Sequence, residues 1–100
     1  MKDPRDIKMN TKRQRFETPL GEEFGYIDYR FYKGNLAFMH TFIPDESRGK
    51  GIAAEMAKFG LEYARKEKFK IMLYCPFVAS YVKRHPEYQD LINREFHPGN

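Results

Sequence analysis

The hydrophobic pattern between Leu36 and Cys75 changes from that of a strand to that of a helix and back again, and this order constrains the fold most. Leu36 to Ile43 is a strand-sized apolar run that must end at Pro44, because proline cannot donate to a sheet ladder. Apolar residues then recur at helical spacing from about Gly51 to Lys66, where they predict a core stripe of Ile52, Met56, Phe59 and Tyr63. Lys68 to Tyr74 is a second apolar run. This order predicts a strand-helix-strand crossover with two parallel strands.

Two further strands are predicted before the crossover, at Lys12 to Thr18 and at Phe24 to Tyr32. A two-residue turn at Gly34-Asn35 would close a hairpin in which Tyr29 pairs with His40. A shift of one residue would instead set His40 against Asp28. The chain is therefore expected to be α+β, with three antiparallel strands, the parallel crossover and C-terminal helices.

The length and composition suit one small domain, since 100 residues with 41% hydrophobic side chains can build a single core. Residues 1–11 are expected to be a flexible basic tail, residues 12–96 the domain and residues 97–100 a short tail. Six Lys and Arg residues in the first fifteen account for the net charge of +4. The rest of the chain is electrically balanced, which argues against specific nucleic-acid binding.

The loop Arg48-Gly49-Lys50-Gly51-Ile52-Ala53 lies between the first strand and the helix of the crossover. Glycines let the backbone approach an anion closely, and the first N–H groups of a helix bind negative charge. Arg48 and Lys50 add positive charge beside them. The layout is that of a pyrophosphate cradle.

The spacing R-x-x-G-x-A, with a strand before it and a helix after it, resembles the acetyl-CoA loop of the GNAT superfamily of N-acetyltransferases. The resemblance is strongest to the minimal single-domain GNAT-like proteins, and it covers roughly Arg15 to Ile92. The segments that carry it outside the loop are His40-Thr41, Glu62 to Arg65, Cys75 and Tyr81 to Leu91. It implies a truncated GNAT fold that lacks the two helices and the final hairpin that usually shape the acceptor site.

The resemblance also implies a binding mode for acetyl-CoA. Backbone groups of Phe42 and Ile43 would hold the pantetheine arm between the two parallel strands. The pyrophosphate would lie on the amides from Gly49 to Ala53, with Arg48 and Lys50 alongside. The acceptor would be an amine that the sequence does not identify, on a protein or on a small molecule.

Three residues are candidates for catalysis, each with a purely structural alternative. Cys75 lies at the end of a strand and before Pro76, whose fixed φ suits the first turn of a helix. It is either a nucleophile near the thioester or a small buried residue. Tyr81 is either the acid that protonates the departing CoA thiolate or a packing residue. His40 is either the general base for the amine or a strand residue within the core.

Other classes of function are disfavoured by the sequence. The single cysteine excludes an intrachain disulfide, and together with the three histidines it gives no metal-ligand spacing, so no metal is expected. No apolar run is long enough to span a membrane, and a cytoplasmic location is expected. The leading hypothesis is an acetyl-CoA-dependent N-acetyltransferase. The alternatives are an acyl-CoA-binding module without turnover and a basic interaction protein.

Overall fold

The computed structural model describes residues 6–95, which form one five-stranded sheet and two α-helices. The strands are β1 (Lys8–Asn10), β2 (Arg15–Leu20), β3 (Glu23–Tyr32), β4 (Asn35–Phe42) and β5 (Lys70–Leu73). The helices are α1 (Ile52–Glu67) and α2 (Pro76–Arg84), and Asp45–Ser47 and Pro86–Leu91 form 3₁₀ turns. The strands lie in chain order, antiparallel except for the parallel pair β4 and β5. The predicted crossover and the α+β class are confirmed.

The N-terminal segment differs from the expected flexible tail where it is described. Lys8–Asn10 pairs with β2, and Ile7 is buried in the core. Two apolar side chains, Ile7 and Met9, account for this, since they pack on the core at the sheet edge. Residues 1–5 and the predicted tail at 97–100 lie outside the described residues.

The predicted register of the β3–β4 hairpin is wrong, because the turn is Lys33-Gly34 and not Gly34-Asn35. Both turn residues have positive φ, +50° and +80°, as a type I′ hairpin turn requires. Tyr29 therefore lies opposite Phe38. The register then shifts by one residue at Met39, so that Asp28 pairs with His40.

The bulge at Met39 decides which side chains of β4 face the helices. Before it, Leu36 and Phe38 lie on the helix-covered face of the sheet; after it, Thr41 lies opposite the buried Ile27 on that same face. Without the extra residue, His40 would take this position, because side chains alternate along a strand. The bulge moves His40 to the other face.

The core lies between the sheet and the helices. Phe16 and Phe38 pack face to face, with ring centroids 6.1 Å apart, and Gly60 of α1 lies directly over both rings. The predicted helix stripe is partly confirmed, since Ile52 and Met56 are buried; Phe59 and Tyr63 are half-buried. The residues of α1 that complete the buried face are Ala57, Gly60, Leu61 and Ala64.

Both helices pack on one face of the sheet, and α1 contacts α2. On the opposite face, which no helix of residues 6–95 covers, large apolar side chains reach solvent. They include Tyr32, Met39 and Tyr74, of which Tyr74 is 50% exposed. No helix in this part of the chain is long and apolar enough to cross a membrane.

Candidate functional site

The parallel strands β4 and β5 separate halfway along β4. Their ladder runs from Asn35 opposite Lys70 to Phe38 opposite Leu73. The carbonyl of Phe38 then accepts two hydrogen bonds, from the backbone N–H groups of Tyr74 (3.0 Å) and Cys75 (2.8 Å). Within the described residues, β4 has no ladder partner on this side beyond Phe38. The strand edge after Phe38 is therefore open to an extended ligand.

The glycine loop leads from this open edge into α1. Gly49 and Gly51 both have positive φ, +81° and +76°, and Gly51 is the N-cap of the helix. No side chain caps α1 at this end. Because the first N–H groups of a helix have no intrahelical acceptor, this turn presents donors and the positive end of the helix dipole. The loop therefore has the geometry of an anion-binding site.

Arg48 is held beside this loop by two contacts. Its Nε donates to the carbonyl oxygen of Ile43 (3.2 Å) and lies 3.3 Å from Oδ1 of Asp45. The side chain remains largely exposed, so screening by salt weakens the ion pair. Its charge is therefore available to a ligand in the loop.

The open strand edge, the loop and α2 enclose a cleft of about 500 Å³. This volume is within the range of small-ligand sites, and the walls are mostly apolar. The lining residues are Thr41, Ile43, Ser47, Arg48, Gly49, Gly51, Ile52, Ala53, Ala54, Phe77 and Arg84. Six of the eight residues predicted to hold the cofactor are among them. The other two, Phe42 and Lys50, are not among the described residues that line the cleft.

Five lining residues were not predicted, and periodicity explains most of them. Thr41 lies two residues before Ile43, so both face the same side of β4. Phe77 and Arg84 are seven residues apart on α2, which places them on one face of the helix. Ser47 and Ala54 flank the loop directly. The helical spacing of Phe77 and Arg84 was visible in the sequence.

Cys75 lies behind the cleft wall. It is the N-cap residue of α2, with Pro76 in the first turn as predicted, and it is only 1% exposed. Its Sγ lies 3.0 Å from Oγ1 of Thr41, and either atom can be the donor. The sulfur is therefore near the open strand edge, with the threonine hydroxyl as its polar partner.

Tyr81 lies on the buried side of α2, where its ring stacks on that of His85 with centroids 3.9 Å apart. Burial raises the pKa of Tyr81, and the carboxylates of Glu87 and Glu62 raise it further. The phenol therefore stays protonated at neutral pH. His85 caps the end of the helix, and its Nδ1 is 2.8 Å from the carbonyl oxygen of Tyr81.

His40 is exposed on the uncovered face, opposite Asp28. The residues of 6–95 that line the cleft include none of Cys75, Tyr81 and His40. The structure thus brings the predicted loop residues together in one cleft and leaves the three candidate catalytic residues around it. Within residues 6–95, no group of three or more His, Cys, Asp or Glu side chains could hold a metal ion.

Comparison with known proteins identifies the family. Residues 15–91 match the model of the GCN5-related N-acetyltransferases. Protein NATD1 of Gallus gallus is 31% identical over 86 residues, which cover 83% of this chain and 78% of that protein. Protein NATD1 of Xenopus tropicalis is 30% identical over 83 residues, which cover 80% of this chain and 76% of that protein.

A solved structure shows the same architecture. The solution structure of a GCN5-like protein from Staphylococcus aureus superposes with a TM-score of 0.70, at 27% identity, and covers 88% of this chain and 87% of that one. The mixed sheet and its helices are thus a GNAT fold. The chain belongs to the family of GCN5-related N-acetyltransferases.

Proposed function

We propose that this protein binds acetyl-CoA in the cleft and transfers the acetyl group to an amine. The observation that carries the proposal is that the open edge of β4 and the glycine loop line one cleft. An extended arm along the strand would lead directly to phosphates at the start of α1. The cytoplasmic location predicted from the sequence is retained as part of this proposal.

The loop fits a phosphate-bearing ligand. A Cβ added at Gly49 or Gly51 would meet no protein atom within 4 Å, so the space beside the backbone is available to a ligand. Arg48 and Arg84 line the cleft and supply two positive charges. Ile43 and Phe77 supply apolar contacts for the arm. Donors, cations and apolar surface therefore match the parts of the proposed ligand.

Bound acetyl-CoA would supply an acyl group activated as a thioester. The amine is proposed to approach from the uncovered face, beside the point where β4 and β5 separate. His40 is exposed on that face, and it is proposed to accept the proton that the amine loses. Tyr81 is proposed as a source of a proton for the leaving thiolate, because its raised pKa keeps the phenol protonated at neutral pH.

An acyl-CoA-binding module without turnover is the second candidate. The observation that favours it is the absence of Cys75, Tyr81 and His40 from the cleft lining among the described residues. Binding would then depend on the loop alone. A retained cofactor site does not guarantee chemistry.

An amide NMR titration with acetyl-CoA tests both candidates, followed by mass spectrometry of an added peptide amine. We expect shifts centred on Gly49 to Ala53 and on Thr41, together with acetylation of the peptide. Shifts without acetylation of any amine tested, including polyamines, would favour the binding module. No shifts at millimolar acetyl-CoA would contradict both.

A further inference from the structure

Thr41 stands between the cleft and Cys75. Thr41 is among the residues that line the cleft, while Cys75 is not among them and is only 1% exposed. The distance of 3.0 Å between Oγ1 and Sγ is that of a direct hydrogen bond. A ligand in the cleft therefore meets Thr41 before it can reach the buried sulfur.

Both partners are held in place by the backbone. Thr41 is fixed in β4 opposite the fully buried Ile27, and its branched Cβ restricts its rotamers. The N–H of Cys75 donates to the carbonyl of Phe38 (2.8 Å), and its own carbonyl accepts from Ala79 (3.0 Å). The geometry of the pair is thus set before any ligand binds.

A hydroxyl has one donor and two acceptor sites, whereas a thiol is a weak donor and a weak acceptor. If the S–H of Cys75 donates to Oγ1, the O–H of Thr41 is left to donate into the cleft. The sulfur then fixes the direction of the hydroxyl rotor.

From this geometry we infer that Thr41 donates a hydrogen bond to the acyl carbonyl oxygen of the bound donor, and that Cys75 is a positioning residue for that hydroxyl. The inference rests on the proposed function, because it needs acetyl-CoA in the cleft. It makes transfer to the amine direct. The thiol of Cys75 forms no bond to the acyl group.

The test is the preference for acetyl-CoA over CoA, measured by calorimetry as the ratio of the two dissociation constants. Only acetyl-CoA carries the carbonyl, so a merely structural defect would weaken both ligands alike. We expect Thr41→Val to lower the preference about three- to tenfold, the effect of one neutral hydrogen bond. Thr41→Ser should restore it, and Ser80→Ala, which removes an exposed hydroxyl of α2 that is not among the residues lining the cleft, should leave it unchanged.

The cysteine variants complete the test. Cys75→Ala should lower the preference part of the way, since the hydroxyl loses the partner that directs it. Cys75→Ser retains a donor and should keep both the preference and any measured transfer within about threefold, less than the effect of one hydrogen bond.

Three results would overturn the inference. If Thr41→Val leaves the ratio of the two dissociation constants unchanged, Thr41 does not contact the acyl carbonyl. An acetyl group on Cys75, found by mass spectrometry together with loss of transfer in Cys75→Ser, makes the cysteine a nucleophile. If the wild-type chain binds neither ligand, the proposed function fails and the inference fails with it, a result distinct from the first two.

Discussion

Two glycine positions in this chain show different reasons for having no side chain. Gly60 lies in the core, where an added Cβ would come within 2.7 Å of the Phe38 ring and 2.9 Å of the Phe16 ring. Gly49 lies in the cleft, where an added Cβ would meet nothing within 4 Å, but its φ is +81°. The core glycine is required by packing. The cleft glycine is required by the backbone conformation and, in our proposal, by the ligand.

The largest expected effect is a loss of stability when the core glycine, Gly60, is changed. Gly60→Ala gains helix propensity of up to about 1 kcal/mol, but overpacking a close-packed core costs about 1–3 kcal/mol. Both facing rings are fully buried, so neither can easily move away from an added methyl group. We therefore expect a net loss of stability in urea unfolding. Adding Phe38→Leu should make the double variant less destabilised than the sum of the two single changes. A Gly60→Ala protein as stable as the wild type would contradict the packing argument.

The cleft side of the comparison should respond in ligand binding as well as in stability. Gly49→Ala forces a residue with a Cβ into positive φ, which costs about 1–2 kcal/mol of stability. Its Cβ would also fill the space proposed for the phosphates, and we expect acetyl-CoA to bind about tenfold more weakly, equivalent to about 1.4 kcal/mol.

Gly21→Ala is the matched control for this change. Gly21 also has positive φ, +67°, with nothing within 4 Å of an added Cβ, and it lies in the β2–β3 turn and is not among the described residues that line the cleft. It should lose similar stability and bind acetyl-CoA normally. Equal binding defects in the two variants would make the effect of Gly49→Ala one of general strain.

A smaller effect is expected from the cations of the cleft. Arg84→Ala should weaken acetyl-CoA about threefold at low salt, because an exposed ion pair contributes only about 0.2–1 kcal/mol. The defect should shrink as salt rises. Lys83→Ala, on the neighbouring position of α2 and outside the cleft, removes the same charge and is the control. An equal loss in the two variants would indicate net charge rather than contact.

The smallest expected effect is on how stability depends on pH, through Glu17 of β2. Burial raises the pKa of Glu17, but hydrogen bonds from Arg15 and Asn10 outweigh it and hold the pKa below the ordinary value of 4.5. A lowered folded-state pKa gives stability that is present above pH 4.5 and lost as the pH falls through the folded value. Glu17→Gln should therefore lose less stability between pH 6 and 3 than the wild type, in thermal unfolding followed by circular dichroism. Identical acid profiles would show that the Arg15–Glu17 pair does not contribute.

The parts of the fold that were predicted correctly depend on local patterns. Pro44 ends β4, the apolar spacing predicts α1, and Pro76 begins α2, each through the residue's own conformational limits. The loop glycines were predicted for the same reason. Six of the eight proposed cofactor contacts accordingly line the cleft.

The errors share a different cause. The hairpin register depends on one turn residue and one bulge, and a shift of one residue exchanges the two faces of a strand. His40 was therefore predicted opposite Tyr29, whereas the bulge at Met39 pairs it with Asp28 on the uncovered face. β1 was missed because three residues, Lys8–Asn10, are too few to show the alternating pattern of a strand.

The sequence by itself determined the order of strands and helices and the position of the glycine loop, because propensity, periodicity and glycine or proline geometry act over a few residues. Only the tertiary structure decided that Thr41 rather than His40 lines the cleft and that Cys75 is buried behind it. These outcomes depend on how β3, β4 and α2 pack against each other. Packing is a property of all three elements at once and leaves no local pattern in any one of them.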